Sequence, residues 1–423
     1  MRVARLERCQ DESGLDAFLD AFTTRGLTAS SSRLSRWEYG RSKGTRRLLR
    51  AYEDGTGLPP YVLFALNDRQ RRADEDTFAA VPSIDVSEGV TAEGIDEILD
   101  RAVSSAEVTG SDWYLLAGFT SVNGYFYLSP RNTRILARRL IEELARSVGP
   151  AYILRFEALH LLASMNRVHD ALVEELAEMI EDGSAGAIGD AVSLILRAAP
   201  AVRTRMVDHL RTSESPMVRQ GSSWIRDILK DRQPAGEPLL ARSAVSAQTD
   251  AVCRALPEWA MAHVEADMTR PLIESAIGGR SRLDRHEASL LLMLAGIQTH
   301  TEQVLLDLFE EASDPIMRRR LANLQEYLLP ATKPQRLEGL ALDETDPEAR
   351  RALWGSRGHV FEPVEVTAPI REALADPDAQ YGVSYALGIS GSIDEALLAD
   401  SRSDEALHEV LEWWHSRGPG LLV

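Results

Sequence analysis

Apolar residues recur at helical rather than strand spacing along most of this chain. Near the N-terminus Leu15, Phe18, Leu19 and Phe22 stand three and four apart behind Ser13, a residue suited to capping a helix. The chain then turns through Thr23–Ala29, with Gly26 as a flexible point. Ser30-Ser31-Ser32 offers hydroxyl caps for a second stripe, Leu34 and Trp37, and Gly40 stands where that helix should stop. Leu48, Leu49 and Tyr52 mark a further helix, and Pro59-Pro60 opens one carrying Val62, Leu63 and Leu66.

The pattern lapses over residues 73–100, which hold nine acids and no base among small residues, Pro82, Gly89 and Gly94. This reads as an acidic tether with a short helix near Ile95–Ala102. Residues 113–127 then hold six aromatics: Trp113, Tyr114, Phe119, Tyr125, Phe126 and Tyr127. Asn123-Gly124 within them fits either a hairpin turn or a break between helices. The helical reading is favoured because Leu136, Leu140, Leu144 and Val148 follow at four-residue spacing. An aromatic cluster of this kind is ordinarily core, with a ligand pocket or dimer face as the alternative.

From Pro150 onward, amphipathic helical patterns succeed one another and a short motif returns. Ser215-Pro216, Asp314-Pro315, Asp346-Pro347 and Asp376-Pro377 each combine a capping residue with a proline fitted to the first helical position. The prolines are 99, 32 and 30 residues apart, near multiples of a unit of about 31 to 33. Repeated helix pairs at this period resemble HEAT-like α-solenoids, in which neighbouring repeats cover one another's apolar faces. A non-repetitive helical bundle accounts for much of the same pattern. After Arg351, Gly355, Gly358, Pro363 and Pro369 interrupt the helical periodicity, so that stretch reads as a long connection or a functional insertion.

The expected fold class is therefore all-α. The expected organisation is a small helical domain at 1–70, an acidic linker at 71–105, an aromatic-rich helical segment at 106–150 and a helical-repeat region at 151–423. A length of 423 residues exceeds one ordinary core and fits this division. No apolar run approaches a membrane span, and MRVARLERCQDE has no apolar signal region, so no membrane association and a cytoplasmic location are expected. Two cysteines far apart, Cys9 and Cys253, exclude a disulfide framework and a cysteine zinc site.

Charge changes this picture most. The formal net charge is -18, yet residues 1–72 hold 14 Lys or Arg and nine Asp or Glu, a net of +5. Residues 73–423 carry a net of -23. Seven of the basic residues fall within residues 33–50, against the single acid Glu38. An acidic protein with its positive charge gathered in one stretch points to a polyanionic partner for that stretch.

The string Arg33-Leu34-Ser35-Arg36-Trp37-Glu38-Tyr39-Gly40 resembles the recognition helix of Cro/cI-like (XRE) helix-turn-helix domains. Leu49-Arg50-Ala51-Tyr52 and Gly57-Leu58-Pro59 resemble that family's following helices, so the resemblance covers about one sixth of the chain. It implies double-stranded DNA as partner, with Ser31, Ser32, Arg33 and Arg36 reaching base edges. Arginine suits that work because its fork bonds guanine O6 and N7 together. It further implies that Arg41, Lys43, Arg46 and Arg47 contact phosphates, that Leu34 and Trp37 point inward, and that Glu38 pairs with Arg5 or Arg8. The family commonly binds as a dimer, so a homodimer is expected. Asp16 and Asp20 depart from the pattern, standing on the helix that crosses the phosphate backbone. The stretch Thr23–Ser30 is also longer than the family's tight turn.

No motif for catalysis stands out. His286-Glu287 lacks a second histidine four residues on, and Gly388-Ile389-Ser390-Gly391-Ser392 lacks the final glycine of a nucleophile elbow. Ser390 reads as a helix-end residue, and His408 and His415 beside Trp413-Trp414 as part of a packed terminal helix. The expectation is a non-enzyme without metal or cofactor: a nucleoid-associated transcriptional regulator with a DNA-reading head. Its acidic array would sense a small molecule or protein effector, or dimerise. The alternative is a helical-repeat interaction scaffold with a DNA-anchoring head.

Overall fold

The structure is a computed structural model. It describes residues 5, 6, 9, 12–38, 41, 45–75, 91–104, 106–122, 129–181, 204, 208, 212, 239–261, 269–328 and 334–422. The described residues form an all-α protein, with no strand among them and an isolated bridge between Ser147 and Leu421. They cluster into two compact units. One is drawn from Asp11–Thr212 with Leu421–Val423, the other from Met1–Gln10 with Ser213–Gly420. Among the described helices none is long and apolar enough to cross a membrane. Cys253 is buried, Cys9 is half-buried, and neither forms a disulfide.

The first unit begins with α1 (Glu12–Thr24), α2 (Ser31–Glu38), α3 (Arg46–Thr56) and α4 (Val62–Glu75). α3 starts at Thr45, whose hydroxyl accepts from Leu48 N at 3.3 Å, and stops at Gly57, which takes the left-handed φ of 67°. It continues with α5 (Ala92–Val103), α6 (Gly110–Val122), α7 (Pro130–Arg146), α8 (Pro150–Ala163) and α9 (Asn166–Glu181). The short helix expected near Ile95–Ala102 is α5, which buries Ile95, Ile98 and Ala102, while residues 76–90 lie outside the described residues.

α8 is buried on nearly all sides because it runs through the core, packed on α4, α6, α7 and α9. α6 approaches so closely that a Cβ on Gly110 would lie 3.0 Å from Leu154 Cβ. α7 turns Leu136, Leu140 and Leu144 inward as its spacing predicts. Of the six aromatics, Trp113 and Tyr114 are core, Phe119 is half-buried, and Tyr125–Tyr127 lie outside the described residues with Asn123-Gly124. One buried carboxylate of this core gathers three donors. Glu143 accepts from Trp113 Nε1 at 2.7 Å, Arg155 Nε at 3.0 Å and Arg139 Nε at 2.7 Å.

The second unit comprises α10 (Arg242–Ala255), α11 (Glu258–Met261), α12 (Thr269–Gly278), α13 (Arg282–Leu294), α14 (Gln298–Glu311) and α15 (Pro315–Tyr327). It continues through α16 (Pro334–Asp343), α17 (Pro347–Gly358), α18 (Ala368–Ala375), α19 (Gln380–Ile389), α20 (Glu395–Ser401) and α21 (Glu405–Arg417). Successive helices pair as α12/α13, α14/α15, α16/α17, α18/α19 and α20/α21, and the second members stack α13 on α15, α15 on α17, α17 on α19 and α19 on α21.

Ser281, Asp314, Asp346 and Asp404 cap α13, α15, α17 and α21, and Asp376 stands in the same series ahead of α19, at intervals of 33, 32, 30 and 28 residues. Two pairs of the Asp-Pro motif open helices directly, at Pro315 and Pro347. The third does not: Asp376 accepts from Asp378 N at 3.0 Å in a turn, and α19 begins at Gln380. Ser215-Pro216 lies outside the described residues. Each of the last three acids of this series also holds a side chain of the preceding pair. Arg319 of α15 reaches Asp346, Arg350 of α17 reaches Asp376 at 2.6 Å, and Gln380 of α19 reaches Asp404 at 3.1 Å.

The break expected after Arg351 falls elsewhere. Ala352–Gly358 is helical and buried within α17, and the connection runs only from His359 to Thr367. The glycines are there for close packing rather than for a turn. A Cβ on Gly355 would meet Glu326 Oε1 at 2.1 Å, and one on Gly358 would meet Ala386 Cα at 3.0 Å.

Candidate nucleic-acid interface

The interface residues stand on a small aromatic core. Phe18 and Phe22 of α1, Trp37 of α2 and Tyr52 of α3 pack ring against ring, at centroid distances of 4.9 Å for Phe18–Phe22, 5.9 Å for Phe22–Trp37 and 5.2 Å for Phe22–Tyr52. Leu34 and Leu48 are buried with them. With Leu34 and Trp37 turned inward, a period of 3.6 residues puts Ser32, Arg33 and Arg36 outward, and all three are exposed. Ser31 opens α2, with its side chain outside the described residues.

The turn before α2 shapes this face. Gly26 adopts φ 66°, and Leu27 N closes onto Phe22 O at 2.8 Å. Ser30 Oγ accepts from Arg33 N only at 3.4 Å, a weak cap. Arg33 folds back, its Nη1 donating to Thr28 O at 3.1 Å, so reaching a base edge requires releasing that bond. Among the described residues, no hydrogen bond ties the Arg36 side chain to this turn.

Of the four residues assigned to phosphates, Arg41 and Arg47 are exposed and Arg46 is half-buried at the start of α3. Lys43 lies outside the described residues. Arg41 N donates to Arg36 O at 2.8 Å, which satisfies a carbonyl in the last turn of α2. Acids also remain on this surface. Asp16 and Asp20 of α1 are exposed, whereas Asp54 is held by Arg25 at 2.7 Å.

Glu38 accepts from Tyr52 Oη at 3.0 Å, tying α2 to α3, and Arg8 lies outside the described residues. The structure adds a support that no motif announces. Glu53 is fully buried and accepts from Tyr61 N at 2.9 Å, Leu63 N at 2.8 Å and Arg50 Nη1 at 2.7 Å. It thereby caps α4 from another helix. Burial pushes its carboxyl above the ordinary range, against the pull of those donors. Tyr61 carries a left-handed φ of 71° beneath Arg50, whose guanidinium sits 4.5 Å over the ring. The only sequence signal for this support is an acid two turns ahead of Pro59-Pro60.

No family model, no curated protein and no solved structure matches this chain.

Proposed function

We propose that the protein is a sequence-specific DNA-binding transcriptional regulator whose helical array senses an effector, binds a partner or dimerises. One observation carries the reading: Ser32, Arg33 and Arg36 share the exposed face of a short helix whose other face is locked into an aromatic core. A helix with side chains is about 10–12 Å across and suits a major groove about 12 Å wide, with its arginines outward. Arg41 and Arg47, exposed beyond it, suit the flanking phosphates. The net of +5 in residues 1–72 favours approach to DNA by this segment, and the net of -23 beyond it disfavours approach by the rest.

A homodimer belongs to this proposal, because two half-sites on opposite sides of a two-fold multiply affinity and specificity. Trp113 and Tyr114 are core, so the dimer surface is not built from them. The scaffold alternative draws on the stacked helix pairs, whose acidic surface suits a basic protein partner.

Selection from a random duplex pool with the full-length protein at physiological salt separates the two readings. An enriched motif, above all a two-fold one, is the expected outcome. Salt-sensitive retention with no motif would sink the regulator and leave the head as a general DNA anchor.

A further inference from the structure

Three members of the helix stack meet at one histidine. His359 follows the last residue of α17, and its ring is engaged on both sides. Nδ1 lies 3.0 Å from Glu326 O of α15, and Nε2 lies 3.0 Å from Tyr385 Oη of α19. A carbonyl oxygen only accepts, so Nδ1 carries the proton, and in the neutral ring Nε2 accepts from the Tyr385 hydroxyl. The imidazole thereby satisfies a carbonyl in the last turn of α15. Tyr385 extends the contact to α21, its ring edge-on to Trp414 with centroids 5.8 Å apart.

The backbone behind this ring is strained. Phe361 holds a left-handed φ of 59°, which a bulky side chain rarely adopts. Val360 N donates to Arg357 O at 3.3 Å and Phe361 N to Gly358 O at 3.1 Å, closing the turn. A proton on Nε2 would undo the arrangement, because Tyr385 Oη could no longer donate to it. The buried carboxylate of Glu326 already accepts from Arg351 Nη1 at 3.0 Å and Nη2 at 2.9 Å, so an imidazolium would add a second cation beside one acid. From α16, Glu338 is taken by Arg357, and Tyr327 of α15 and Tyr381 of α19 bring uncharged phenols to Arg351. Desolvation holds the imidazole below its ordinary 6.5 and Arg351 adds to that, against the carboxylate and carbonyl of Glu326. His359 keeps part of its surface exposed, so a proton reaches it without unfolding.

We infer that His359 is a proton-operated latch: neutral, it fastens the strained turn after α17 to α15 and α19, and protonated, it lets that turn open. A folded-state value below 6.5 contributes stability that is complete above 6.5 and is lost as pH falls through the folded value. The latch makes the array responsive to acidification, whether or not the head binds DNA.

Hydrogen exchange of the full-length protein, read by mass spectrometry and corrected for the intrinsic pH dependence of amide exchange, tests it. As pH is lowered from about 7.5 to about 5, protection in peptides covering the turn and α19 should fall about fivefold, the scale of one hydrogen bond. Asp346 and Asp376, both held below 3.8, stay ionised over that range. His359→Asn keeps a donor but cannot titrate, and should lose the response. His408→Asn, at a histidine bonded to Ser401 instead, should keep it. Tyr385→Phe preserves the ring and removes the hydroxyl that favours neutral imidazole, so its transition should move to higher pH. Tyr385→Phe decides even where His359→Asn does not fold. Unchanged protection in the unaltered protein would overturn the inference. So would an equal fall in His359→Asn, or an unmoved midpoint in Tyr385→Phe.

Discussion

The hydroxyl of Tyr114 donates to the carboxylate of Asp68 across 2.6 Å, and both side chains are buried. Their helices, α6 and α4, belong to segments that look separate in the sequence, the aromatic stretch and the basic head. Ser111 Oγ donates to Pro60 O at 2.8 Å beside them, and Arg69 lies 4.6 Å over the Phe156 ring. The head is thus built into one compact unit with α6 and α8, its last helix serving both.

Removing that hydroxyl takes a donor from a buried carboxylate. Tyr114→Phe should lower unfolding stability by about 1–3 kcal/mol. Urea denaturation followed by circular dichroism measures it. A change within error would mean that the contact carries no weight in joining the head to the core.

Asp346 links two helix pairs, accepting from Glu348 N at 3.2 Å and Ala349 N at 3.0 Å while also holding Arg319. Burial alone would raise its carboxyl, but Arg319 and the two backbone donors outweigh it and hold the group below its ordinary 3.8. A lowered folded-state value contributes stability that is present above 3.8 and is lost as pH falls through the folded value. Asp346→Asn should therefore be less stable at neutral pH, by about 1 kcal/mol. The gap should close as pH is lowered past 3.8. Chemical denaturation at a series of pH values tests this, and a gap that widened in acid would contradict the assignment.

Gly388 lies against Trp414, a buried ring. A Cβ there would stand 2.1 Å from Cδ2 and 2.4 Å from Cγ. Replacing a helical glycine by alanine ordinarily gains up to about 1 kcal/mol. Here overpacking should dominate, with Gly388→Ala losing about 1–3 kcal/mol. A scan of Tm decides between them, since a rise would mean the two helices have room to part.

These cases also mark what the sequence makes legible. The stripes Phe18–Phe22 and Leu34–Trp37 predict their helices because one face of each is buried, and the same spacing predicts that Ser32, Arg33 and Arg36 face outward. The Asp-Pro pairs disclose the repeat at Asp314 and Asp346 because cap and proline coincide there. Asp404 escapes such a search, having no proline after it, although it caps α21 in the same series. Gly355 and Gly358 mislead because glycine reads as a break where the helix simply passes close to Glu326 and Ala386. The meeting of Tyr114 with Asp68 depends on how α6 faces α4, and local spacing contains no such information. Arg33's bond to Thr28 is hidden for the same reason.

The roles proposed within the head separate by salt and by sequence. If about six phosphates are neutralised per dimer, the logarithm of affinity should fall with the logarithm of salt at a slope of about -5. Arg47, exposed on α3, is assigned to a phosphate, so Arg47→Ala should weaken every duplex alike and reduce the slope by about 2, one contact being lost in each half-site. Arg36 is assigned to a base edge on the outward face of α2. Arg36→Ala should cost about 1–3 kcal/mol on the preferred duplex and little on others, flattening the preference. Arg33 must first leave Thr28 O, so its substitution should cost less than that of Arg36 wherever both reach guanine. Fluorescence anisotropy on matched and scrambled duplexes over a range of salt reads all three quantities. Equal losses for Arg36→Ala and Arg47→Ala on every duplex would show that α2 meets the backbone rather than the bases, because only contact with base edges distinguishes one sequence from another.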